Sequence, residues 1–181
     1  LDAIATTYAE LASPDAQYRS RITFAAHLRD YDYRDDFVTT DVEHTRRIVS
    51  WLNTWTPSDS VELVGGLEYE SARVVINDTR TDDDLFAGFV SATWRPRLNV
   101  IVDAGLRHDE FDSFGSATTG RAGAAWLLDQ GRTKLRATFG TGFTAPGADD
   151  RFGVPVWGQL ENPDIAPEKS RGWDIGVDRD C

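Results

Sequence analysis

The sequence predicts an all-β chain of antiparallel up-and-down strands, part of a transmembrane outer-membrane β-barrel, with about nine strands of a larger barrel readable. Three observations predict it. Apolar residues alternate with polar or small ones along most of the chain. The connections alternate between short and long. Tryptophans gather beside the short connections.

The alternation is the primary signal. Ile22, Phe24, Ala26 and Leu28 alternate with Arg21, Thr23, Ala25, His27 and Arg29. Leu63, Gly65, Leu67 and Tyr69 alternate with Glu62, Val64, Gly66, Glu68 and Glu70. Val100, Val102, Ala104 and Leu106 alternate with Ile101, Asp103, Gly105 and Arg107, and Leu135, Ala137 and Phe139 with Lys134, Arg136 and Thr138. A strand turns successive side chains to opposite faces, so each segment has one apolar and one polar face. The stretches Ile48 to Trp55 and Leu85 to Trp94 are less clean, with apolar residues on both faces. The strands fall near 2–12, 16–30, 43–56, 60–75, 84–95, 97–109, 117–128, 132–143 and 170–179. Many exceed the roughly five or six residues of a soluble strand and reach the nine to eleven that cross a membrane.

The connections come next. Ser13-Pro14-Asp15, Pro57-Ser58-Asp59, Arg95-Pro96-Arg97 and Asp129-Gln130-Gly131 read as tight turns. Between them lie polar connections from Asp30 to Asp41, Ala72 to Asp83, Asp109 to Ser116 and Thr144 to Ser170. Short turns on one rim and long loops on the other are expected of an outer-membrane barrel, with the periplasm at the short-turn end. Trp55, Trp94 and Trp126 stand on the short-turn rim, where an indole is half in lipid and half in water. Tyr31, Tyr33, Tyr69, Phe111 and Phe143 lie toward the other rim.

Composition bounds the rest. The 181 residues carry a formal net charge of -11, with 40% apolar and 27% charged residues. That is too apolar for disorder, and too acidic for a nucleic-acid partner, which requires clustered Lys and Arg. The one cysteine, Cys181, is the last residue, and His27, His44 and His108 are scattered. No zinc pattern, phosphate loop or nucleophile constellation stands out, so no cofactor, metal or enzymatic activity is expected. Acidic runs such as Asp82-Asp83-Asp84 lack calcium-loop spacing and read as solvated surface.

The segment Leu135 to Asp178, LRATFGTGFTAPGADDRFGVPVWGQLENPDIAPEKSRGWDIGVD, carries a resemblance. Gly140-Thr141-Gly142-Phe143 with Ala145-Pro146, followed by Asn162-Pro163, Ile165 and Pro167-Glu168 with Ser170, is similar to TonB-dependent outer-membrane receptors. Their barrels share a G-T-G-F-x-A-P strand end and an N-P-x-L-x-P-E-x-S strand start; Ile165 stands where Leu is usual. The vitamin B12 (cobalamin) branch looks closest. The resemblance implies one partial receptor barrel domain over 1–181, with no plug domain present. It further implies TonB-energised uptake of a scarce, bulky ligand, cobalamin-like or a siderophore. The expected partners are outer-membrane lipid and a small-molecule ligand. The TonB system and the plug enter only through missing parts of the parent receptor. The alternatives are a small structural or adhesion barrel and a soluble β-sandwich binding module.

Two expectations concern named residues. Phe24, Leu28, Leu63, Leu67, Val100, Val102, Ala104, Ala137 and Phe139 should face lipid on the convex side of an open arc. Arg21, Arg29, Glu62, Glu68, Asp103, Arg107, Lys134 and Arg136 should face the lumen, because an Arg or Lys on the lipid face costs about 2–4 kcal/mol at mid-membrane. Ligand contact is expected from the long connection Thr144 to Ser170, with Phe152 and Trp157 as apolar contacts and Asp149, Asp150 and Arg151 orienting polar groups.

Overall fold

A computed structural model of the chain describes residues 1–34, 39–77, 79–113, 115–146, 162 and 165–180. It contains nine strands: β1 (Asp2–Ala12), β2 (Tyr18–Arg34), β3 (Thr39–Ser58), β4 (Val61–Ile76), β5 (Thr79–Arg97), β6 (Val100–Phe111), β7 (Gly115–Leu128), β8 (Thr133–Thr144) and β9 (Glu168–Arg179). A 3-10 turn, Asp129–Gly131, joins β7 to β8. The strands form one sheet in sequence order, every neighbouring pair antiparallel. Among the described residues no ladder joins β9 back to β1, so the sheet is an open segment of barrel wall.

The ladder registers sort the faces. Residues directly opposite one another in a ladder share a face. Phe24 pairs with Val49, Val49 with Tyr69, and Tyr69 with Phe86. Trp94 pairs with Val102, Val102 with Ala124, Ala124 with Ala137, and Ala137 with Ile175. All nine residues expected to face lipid lie on this apolar side, and the eight charged residues expected in the lumen lie on the other. Exposure tells which side is inside. Side chains on a concave face crowd one another, and the three most buried residues, Ala87 (0% exposed), Ala117 (6%) and Asp109 (8%), all belong to the polar face. The apolar face is open, with Phe24, Val90, Leu106, Phe139 and Ile175 all exposed. Among the described residues no second sheet covers it, which speaks against the sandwich alternative.

The two imperfectly alternating stretches also resolve. On the inner face Leu52 is opposite Gly66, and Gly66 is opposite Phe89. A side chain on Gly66 would meet the Phe89 ring at 2.7 Å and the Trp51 carbonyl at 2.6 Å, so the ring lies over the glycine. The Arg107 guanidinium sits 6.0 Å from the same ring centroid. The inward apolar residues thus form a small patch on a polar wall.

The short-turn rim differs from expectation in detail. The turns after β3 and β5 are Asp59-Ser60 and Leu98-Asn99, two and three residues beyond the prolines read as turn residues. Pro57 and Pro96 instead occupy bulges, where the register shifts between Trp55 and Ser58 and between Trp94 and Arg97. Proline has no N–H to give the ladder, so it sits where the ladder skips. The two stretches repeat one pattern, Trp-x-Pro-x-x-x-Val, with the same bulge in each. Trp55, Trp94 and Trp126 lie on the outer face and are about half exposed, as interfacial residues are.

The opposite rim departs further. In the first three of its connections most of what reads as polar loop is strand. β4 and β5 continue to Ile76 and from Thr79, leaving Asn77 and Asp78 between them; β6 ends at Phe111 and β7 starts at Gly115. β3 has 20 residues and β5 has 19, against about ten needed to span, so these hairpins rise well beyond the membrane. Polar side chains hide a strand from a periodicity argument. Here they hold it together: Arg73 Nε and Arg80 Nε both donate to the Asp82 carboxylate (2.7 and 2.6 Å), and Tyr69 Oη donates to Asp84 (2.9 Å). The upper aromatics do not form a single girdle: Tyr69 is on the outer face with Phe86, but Tyr31 and Phe111 have inner-face register. The Tyr33 side chain lies outside the described residues.

Candidate functional site

Asp149, Asp150, Arg151, Phe152 and Trp157 all lie outside the described residues, so only the mouth of their segment has a structure. Its two ends are pinned together. Thr144 closes β8 directly opposite Glu168 of β9, at the extracellular rim. The Phe143 ring stacks on Phe111 at 5.7 Å, tying this mouth to the β6–β7 hairpin. The connection therefore leaves the wall beside the raised hairpins and away from the short turns.

Beneath that rim the inner wall presents a lattice of paired charges. Arg107 is at its centre. Its Nε donates to Asp109 Oδ1 (2.8 Å) and its Nη2 reaches across β5 to Glu68 Oε1 (2.9 Å). The span is possible because Ala87, opposite both Glu68 and Asp109, is too small to intervene. Ala87 is sealed beneath the bridge, and Asp109 is nearly so. Arg46 makes a bidentate pair with Glu70 on the adjoining strands. Arg21 pairs with Glu10 at 2.5 Å near one sheet edge, and Arg136 with Asp174 and Asp178 near the other. Below the Arg107 bridge is a shallow hollow of about 350 Å³ that includes Phe89, Ser91, Gly105, Thr119 and Arg121. Such a wall holds fixed dipoles and charges toward the lumen without stranding a bare charge in low dielectric.

Only part of this was visible in sequence. Alternation alone puts Glu68 and Arg107 on the lumen face. Asp109 reads in the sequence as the start of a loop, and its pairing with Arg107 follows from β6 continuing to Phe111. The partnership of Glu68 with Arg107, residues 39 apart, depends on two ladder registers that no local pattern encodes. Outside the membrane span, hydrogen bonds from Arg73 and Arg80 hold the Asp82 carboxyl below the ordinary carboxylate value. In the first short turn the Ser13 hydroxyl and the Gln17 N–H do the same for Asp15. Both are features of exposed turns and hairpins rather than reactive groups.

A family model described as "TonB dependent receptor-like, beta-barrel" matches residues 3–180. The chain belongs to the TonB-dependent receptor family. Its place is the bacterial outer membrane. The vitamin B12 transporter BtuB of Vibrio vulnificus is 30% identical over 139 residues, covering 74% of this chain and 22% of that protein. BtuB of Photobacterium profundum is 26% identical over 149 residues, 81% of this chain and 24% of that protein. The chain thus spans less than a quarter of the length of these curated relatives. Among solved structures, the siderophore receptor PirA of Pseudomonas aeruginosa superposes with a TM-score of 0.63 at 16% identity, covering 90% of this chain and 36% of that one. The last comparison carries the fold alone.

Proposed function

We propose that this chain is a wall segment of a longer outer-membrane receptor that takes up a scarce, bulky ligand with energy delivered through TonB. The observation that carries the reading is the family match over nearly the whole chain. In this reading residues 1–181 supply barrel only, and the plug and the TonB-contacting segment belong to other parts of the parent protein. The relatives named above as vitamin B12 transporters favour a cobalamin-like ligand over a siderophore. Ligand contact is assigned to the segment between β8 and β9, since short turns on the periplasmic side cannot meet an incoming solute. Phe152 and Trp157 would supply apolar contact, and Asp149, Asp150 and Arg151 would orient polar groups.

The test uses the full-length receptor as the sole uptake route of a cell supplied with labelled cobalamin. Uptake should require TonB, and the double variant Phe152→Ala/Trp157→Ala should weaken ligand binding while barrel assembly stays intact. Uptake that persists without TonB would overturn the energised-receptor reading. Unchanged binding in the double variant would move the ligand site elsewhere in the receptor.

A further inference from the structure

The lipid-facing surface is not uniform along the sheet. In its first half two interfacial polar groups find protein partners on the outer face. Tyr18 Oη donates to Asn53 Oδ1 at 2.6 Å, and Trp51 Nε1 to Ser20 Oγ at 2.9 Å. Over β6 to β9 this changes. Ala124 and Ala137, opposite one another in the ladder, floor an apolar groove of about 530 Å³ walled by Trp126, Leu135 and Ile175. Arg97 stands at its periplasmic mouth and shares its face with Val100. Arg179, opposite Thr133, stands on the same face two residues below Val177, which also lines the groove. Neither guanidinium has a carboxylate partner among the described residues, and the Trp126 indole N–H has no protein acceptor there. The turn's own carboxylate, Asp129, accepts from Thr133 Oγ1 at 3.0 Å.

We propose that this groove is a binding site for an anionic phospholipid of the periplasmic leaflet. An acyl chain would lie on Ala124 and Ala137 against Leu135 and Ile175. The headgroup would lie along the periplasmic rim between Arg97 and Arg179, which stand four strands apart, and the glycerol ester carbonyl would accept from Trp126. The groove and the two cations match the two halves of such a lipid. An apolar recess alone would be filled by any acyl chain; the unpaired guanidiniums at one end are what select for charge. A second copy of the chain is the poorer occupant, because its apolar face would bring Arg97 and Arg179 against the same cations.

Native mass spectrometry of the full-length receptor in detergent tests this. Phosphatidylglycerol and phosphatidylethanolamine of matched chains are added in competition. Each guanidinium should contribute about a fivefold preference for the anionic lipid. Arg97→Gln/Arg179→Gln should bring retention of the two lipids close to equal, while Ala124→Phe/Ala137→Phe should reduce retention of both. Heat-modified gel mobility confirms that each variant is folded. Equal retention of the two lipids by the parent receptor, a preference unchanged in the double Gln variant, or a receptor dimer in place of bound lipid would each overturn the assignment.

Discussion

The two faces of the sheet are built on different principles. On the outer face the stabilising partner is solvent, here lipid, and any residue of the right polarity serves. Phe24, Val90, Phe139 and Ile175 are held there by transfer energy and touch little protein. On the inner face the partner is another side chain at a fixed place, as in Glu68, Arg107 and Asp109. The outer face should therefore be intolerant of chemistry and indifferent to shape, and the inner face the reverse.

The sharpest break in that contrast uses adjacent residues on opposite faces. Ala104→Arg puts a cation in lipid and should cost about 2–4 kcal/mol. Asp103→Asn, one residue away on the inner wall, should cost less than about 0.5 kcal/mol. Denaturant unfolding of the receptor refolded into phospholipid vesicles measures both, and equal effects would mean that the faces are wrongly assigned. Arg107→Ala should come next. It leaves Glu68 and the nearly buried Asp109 without their cation, at about 1–3 kcal/mol in the same assay, with Arg107→Lys recovering part of it.

Shape is the smaller test. Gly66→Ala would drive a methyl into the Trp51 carbonyl, which is backbone and cannot swing aside, so a loss of about 1–3 kcal/mol is expected. Gly123→Ala first meets the Asp103 carboxylate, which can rotate away, and should stay within about 0.5 kcal/mol. The smallest effect belongs to the raised β4–β5 hairpin. Because the Asp82 carboxyl is held below its ordinary value of 3.8, its contribution is fully present above that pH and fades only as acid protonates it. Amide exchange in residues 72–84 should therefore be flat from neutral pH to about pH 5, after correction for the intrinsic rate, and protection should weaken only below about pH 4.

The same contrast explains what could be read in advance. The strand centres were legible because lipid imposes one rule on every second residue, and nine strands follow from it. The turns after Trp55 and Trp94 were misplaced because proline marks a break in the ladder without saying whether chain reversal comes at once or after a bulge. The raised hairpins were misread as loops because both their faces meet water, so Arg73, Arg80 and Asp82 show no alternation in polarity. The inner-wall pairs were illegible as pairs, although their members were assigned to the right face. For the ligand-contact residues, the alternation says only which connection is long, and the choice of Phe152 and Trp157 rests on their being apolar where water is expected.

One feature of the short-turn rim bears on how such a wall can vary. The N–H of Thr56 donates to the Gln17 carbonyl, Arg95 to Ser60, Leu127 to Asn99 and Asp180 to Arg132, at 2.7 to 2.9 Å. Each donor lies on, or one residue past, the strand two places after the one entering the acceptor's turn, so these bonds stitch successive turns into a hoop. The hoop sets the zero of every ladder at the periplasmic end. Residues added in matched pairs at the far end of a hairpin would lengthen it without sliding its lower rungs or turning an apolar side chain inward. The architecture thus separates a fixed gauge from a free margin: the wall can gain or lose height where solutes arrive while its fit to the bilayer stays the same.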